Sequence, residues 1–95
     1  MDKLKFLELF ENTRSYRFLC HEELKLYLFL LMYADEIEVE RAMNLGLLRR
    51  VMGGEITLDK LKAMASNLKR HGLADIIIAE GEKELEFVLH EIADE

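Results

Sequence analysis

The sequence predicts a single α+β domain, mainly helical, with a helix ahead of the core and a β-hairpin at the C-terminal end. Three observations lead there. The chain has 95 residues, 51% of them apolar, which is enough for one core and too little for two of ordinary size. Leu58, Leu61, Met64, Ala65 and Leu68 recur at helical spacing between Thr57 and Gly72. After Gly72 come two β-rich runs with a polar, glycine-containing turn between them.

Each element follows from its residues. In residues 2–12 the apolar Leu4, Phe6, Leu7, Leu9 and Phe10 alternate irregularly with Lys5, Glu8 and Glu11, a helical pattern. Residues 12–17 are polar and read as a connection. Residues 21–34 read as the central helix, opened by Glu22 and Glu23, where negative charge suits the first turn. From Leu24 to Ala34 only Lys25 is polar, so this helix must be buried on most sides, by the N-terminal helix or by a second copy of the chain. Residues 36–40 alternate Glu with Ile and Val, which predicts a short strand with Glu36, Glu38 and Glu40 as a solvated edge. Asn44 is placed to cap a short helix carrying Leu45, Leu48, Val51 and Met52, ended by Gly53 and Gly54. Thr57 caps the helix of residues 58–71, whose last turn holds Lys69, Arg70 and His71, with Gly72 as its left-handed stop. Residues 73–79 and 85–90 form the hairpin, rich in β-branched Ile and alternating around Leu85, Phe87 and Leu89.

Several functions are excluded or disfavoured. The longest apolar run, residues 26–34, is nine residues against the roughly 20 that a bilayer demands. No signal peptide is expected, since Glu8 and Glu11 interrupt the first apolar stretch. A lone cysteine, Cys20, forms no internal disulfide and fits a cytoplasmic protein; it reads as a buried structural residue. Enzyme chemistry is not expected. His21, His71 and His90 lie far apart, Cys20 and His21 point apart on a helix, and Gly53-Gly54 lacks the Lys-Thr or Lys-Ser of a phosphate loop. Hence no catalytic residue, cofactor or metal is assigned.

From Leu24 to about His90 the chain resembles a winged helix-turn-helix domain. The residues that carry the likeness are Leu48 to Gly53, Ile56-Thr57, Leu61, Leu68 and the run Lys69-Arg70-His71-Gly72-Leu73. Members of that superfamily show an apolar helix ending in Gly, a turn, a Thr- or Ser-capped recognition helix, and a Lys-Arg-x-Gly-Leu run into the wing. The turn after Gly53 is longer here than in the commonest bacterial versions. The resemblance implies residues 1–20 as an added helix and connection, residues 21–95 as a winged-helix core, and binding of double-stranded DNA.

The net charge of −6 argues against nucleic acid until it is divided along the chain. Residues 1–40 carry −4 and residues 73–95 carry −7. Residues 41–72 hold seven basic groups against Glu55 and Asp59, a local +5 over the helix-turn-helix segment. The candidate DNA contacts are therefore Lys60, Lys62, Ser66, Asn67, Lys69 and Arg70 on helix 58–71, with Arg49 and Arg50 on the preceding helix holding backbone. The opposing signal is the wing tip, Glu80-Gly81-Glu82-Lys83-Glu84, which repels phosphate. Two functions are thus expected in order: a small cytoplasmic DNA-binding protein, a candidate transcriptional regulator, reading DNA mainly through helix 58–71; or a non-catalytic protein-interaction or homodimerisation module. The second is motivated by the apolar load of residues 4–10 and 26–34.

Overall fold

The computed structural model describes residues 2–78 and 83–92. Among the described residues, five helices precede or interleave with a three-stranded antiparallel sheet. Helix α1 (Lys3–Glu11) starts where the Asp2 carboxylate accepts the Lys5 N–H, 3.1 Å. Residues expected to be a connection instead form α2 (Arg14–Phe18), capped by Thr13, whose hydroxyl also donates to the Phe10 carbonyl at 2.7 Å. Five residues are too few to show a 3.6-residue period, so the cap is the only local signal for this helix.

Helix α3 (His21–Tyr33) is the centre of the packing. Its inner face buries Leu26, Tyr27, Leu30 and Leu31, and α1 closes over it through Phe6 and Phe10. The Phe10 and Tyr27 rings lie 4.6 Å apart, a tilted aromatic pair. The Tyr27 hydroxyl is fully buried and unpartnered among the described residues, and desolvation pushes its pKa up. Cys20 is exposed at the N-cap of α3, not buried as expected, because the cap residue lies outside the helix's packed stripe.

The predicted strand over residues 36–40 does not form. These residues make a turn in which Glu38 adopts φ 60° and its N–H donates to the Leu89 carbonyl at 2.7 Å. Strand β1 (Arg41–Asn44) follows it. The period-two alternation was a poor guide because it carries no buried face: Val39 is exposed and Ile37 only half-buried, whereas Met43 in β1 is fully buried.

The sheet order is β1-β3-β2, with β2 (Ala74–Ile78) and β3 (Glu84–Leu89) as the hairpin. Met43 pairs with Leu85, and Ala74 with Leu89, which brings the buried faces of all three strands onto the helices. Glu84 and Glu86 point to the other, exposed face. Of the predicted wing tip, Glu80, Gly81 and Glu82 lie outside the described residues; Lys83 and Glu84 are exposed.

Between β1 and β2 the chain makes α4 (Leu45–Val51) and α5 (Leu58–Arg70). Asn44 and Thr57 cap them as expected, accepting from Leu47 N–H at 3.0 Å and Lys60 N–H at 3.1 Å. Gly53 and Gly54 turn at φ +107° and +79°, where a side chain would be strained. Gly72 closes α5 at φ +72° while Leu73 N–H reaches back to the Leu68 carbonyl. Leu61, Met64 and Leu68 of α5 and Leu48 of α4 complete the core against α3 and the sheet. Each such side chain contributes about 1.5–3 kcal/mol by leaving water.

Candidate nucleic-acid interface

Helix α5 is wedged between α3 and β2, and its amphipathic stripe determines what remains outside. Leu61, Met64, Ala65 and Leu68 face inward, so Lys62, Ser66 and Lys69 lie along the side next to β2. These three, with Ala65, Ile76 and Ile78, line a shallow groove of about 260 Å3. Among the described residues neither Lys62 nor Lys69 has an ion-pair partner. The structure therefore gathers three of the eight candidates into one row of two ammonium groups and a hydroxyl.

The other five sit elsewhere. Lys60 forms an ion pair with Glu22 of α3 at 2.8 Å, both ends half in water. Arg49 turns back on its own chain, its Nε donating to the Ile56 carbonyl at 3.2 Å, which ties the end of α4 to the entry of α5. Arg50 is exposed at the end of α4, without an ion-pair partner among the described residues. Asn67 is half-buried and engaged at both ends of its amide: its Nδ2 donates to Glu23 Oε2 at 2.7 Å, and its Oδ1 accepts from Arg70 Nη2 at 2.6 Å. Arg70 is otherwise exposed in the last turn.

Glu23 is the residue that the sequence reasoning missed. It is the one buried charged side chain among the described residues, 9% exposed. Its Oε1 accepts the Cys20 N–H at 2.9 Å, three residues back, as an acidic residue in the third helical position does. Burial alone would raise its pKa. Hydrogen bonds from Cys20 and Asn67 and the positive potential of His71 outweigh burial and hold the carboxyl below its usual range. The spacing from Cys20 to Glu23 was the available signal; the partner 44 residues away was not readable.

A second polar cluster lies at the far end of the sheet. His90 places Nε2 3.0 Å from Asp75 Oδ2 and Nδ1 3.3 Å from Glu38 Oε1, and Glu38 also accepts the Glu91 N–H at 2.7 Å. No group of three or more His, Cys, Asp or Glu among the described residues is arranged to hold a metal ion. No helix of the described residues is long and apolar enough to cross a membrane.

The outer side of α3 is a third feature. Leu24, Leu28, Phe29 and Met32 form an apolar groove with Val51 of α4, and Met32 is 73% exposed. Comparison of the chain with protein-family models, with curated proteins and with solved structures finds no match.

Proposed function

We propose that the chain is a winged helix-turn-helix domain that binds double-stranded DNA through α5. The observation that carries this reading is the row Lys62, Ser66 and Lys69. It runs along one edge of a Thr-capped helix, with Ser66 and Lys69 exposed, Lys62 half-buried, and both ammonium groups unpaired among the described residues. The chain order from α3 onward supports it: helix, strand, helix, helix, strand, strand, with β1 pairing β3. That is the order the superfamily resemblance implies. Arg50, at the end of the helix before α5, extends the cationic surface. Glu84 and Glu86 make the sheet's outer face acidic, so α5 and not the hairpin approaches phosphate. The reading extends to a role in transcription regulation.

The test is a titration of a labelled duplex into the chain across a salt series. Binding at low salt that falls steeply as salt rises is the expected result, since ammonium–phosphate contacts release counterions. A flat signal at the lowest salt ends the reading.

The α3 groove favours a second reading, a protein-interaction module that associates, as a homodimer or with another protein, through Leu24, Leu28 and Met32. Light scattering that finds a monomer at every concentration removes its homodimer form.

A further inference from the structure

The proposed interface contains side chains of two kinds, and their engagement within the fold decides what the interface can read. We infer that α5 engages duplex DNA through phosphates with little preference among sequences; this rests on the DNA-binding reading above.

Bases are told apart in the major groove chiefly by bidentate partners, Asn or Gln on adenine and Arg on guanine. Helix α5 has one residue of each kind, Asn67 and Arg70. Asn67 is already used at both ends, by Glu23 and by Arg70. Turning its amide toward a base would leave the buried Glu23 carboxylate with Cys20, through its backbone N–H and its thiol, as the remaining hydrogen-bond donor. The loss on that side is of the same order as the gain from a bidentate contact to adenine, so the exchange gives little net discrimination. Arg70 is the donor on the same Asn67 oxygen and lies in the last turn. In a helix-turn-helix the N-terminal residues of the recognition helix meet the base edges.

The N-terminal half of α5 offers little to a base. Its exposed positions are Asp59, Lys60 and Ala63. Asp59 is repelled by phosphate. Lys60 pairs with Glu22 in a half-exposed contact that is easily broken, and so adds an ammonium that seeks phosphate, not a base reader. Ala63 offers only a methyl group, a contact for thymine alone. What remains is Lys62, Ser66 and Lys69. Lys62 and Lys69 are seven residues apart, which places them about 10 Å apart along the helix. Lysine acts as a point charge on a flexible stem, and with serine it is the usual phosphate partner. Their groove is floored by Ile76 and Ile78, which carry no hydrogen-bonding side chain.

The experiment measures affinity for duplexes of unrelated sequence and selects from a randomised duplex library, using the full chain at fixed low salt. Affinities within tenfold of one another, with no enriched sequence, are expected. A selected sequence bound more than tenfold tighter than the rest overturns the inference while leaving DNA binding intact. No binding to any duplex by a chain shown to be folded overturns the underlying reading, and the inference with it. The double variant K62A/K69A should weaken binding to all duplexes alike and reduce the salt slope by about 2. The side-chain amide resonances of Asn67 give an independent readout that needs no variant. They should stay in place when DNA is added, while the backbone amides of Lys62, Ser66 and Lys69 shift. Movement of the Asn67 amide into a DNA-bound position overturns the inference.

Discussion

Two charged clusters each join distant parts of this chain, and they do so by different means. At the α3–α5 junction the carboxylate of Glu23 is buried, and its hydrogen-bond partners are the neutral side chains of Asn67 and Cys20 and the Cys20 backbone N–H. At the end of the sheet Glu38 and Asp75 are about half exposed, and their common partner is the ionisable ring of His90. A charge taken out of water has to be matched by fixed dipoles, so the first cluster is costly to break. The second stays in water and is worth less, but its ring changes charge with pH, at a pKa that the two carboxylates raise above 6.5.

The largest expected effect comes from breaking the first cluster. Asn67→Ala removes one of the hydrogen bonds that stabilise the ionised Glu23 and should cost about 1–3 kcal/mol in urea unfolding at pH 7. Because the folded pKa of Glu23 is depressed, its contribution is present above the unfolded value, 4.5, and is lost as pH falls through the folded value. The cost of the substitution should therefore shrink in acid. A loss below about 0.5 kcal/mol at pH 7 would mean that water replaces Asn67, and the contrast between the clusters would disappear.

His90→Ala should have a smaller effect with the opposite dependence on pH. Burial lowers the imidazole pKa, but Asp75 and Glu38 outweigh it and raise the value above 6.5. Stabilisation from His90 is then fully present below pH 6.5 and is lost as pH rises through the folded value. Glu38 is held low, first by the Glu91 N–H, so its own contribution persists above 4.5 and fades in acid. The variant should lower Tm by a few degrees at pH 5.5 and by less at pH 8.5, measured by circular dichroism. An equal loss at both values would show that the ring acts by packing alone.

The smallest effect belongs to Lys60→Ala. Its ion pair with Glu22 joins the same two helices as Asn67 and Glu23, but both ends are about half exposed. Stability should stay within about 0.5 kcal/mol of the parent, which would show that burial and not helix pairing makes the Asn67 contact matter.

Much of the frame was readable from local chemistry. Asn44 and Thr57 announce their helices because a cap and its N–H are three residues apart. The stripe of α5 and the alternation around Leu85, Phe87 and Leu89 announce which faces are buried. The segments on either side of α3, residues 12–20 and 35–40, were less legible. The helix α2 is too short for a period, and the strand predicted over residues 36–40 lies in a turn whose Glu38 is fixed by Leu89, His90 and Glu91 from the other end of the chain. Of the candidate contacts, the basic clustering along residues 41–72 was visible as charge, but the division among them was not. Lys62 and Lys69 were indistinguishable from Lys60 until Glu22 was seen beside the last of these.

The sequence by itself determined the α+β class, the capped helices, the β-hairpin and the concentration of positive charge in residues 41–72, because these depend on neighbours within a few residues. Only the tertiary structure decided the sheet order, the start of β1, and the partition of α5 into a bound shoulder, Asn67, and an open row, Lys62, Ser66 and Lys69. The reason is physical: Glu23 reaches Asn67, and Leu89 reaches Glu38, across 44 and 51 residues of chain, and such contacts exist only once the core has brought α3, α5 and β3 together.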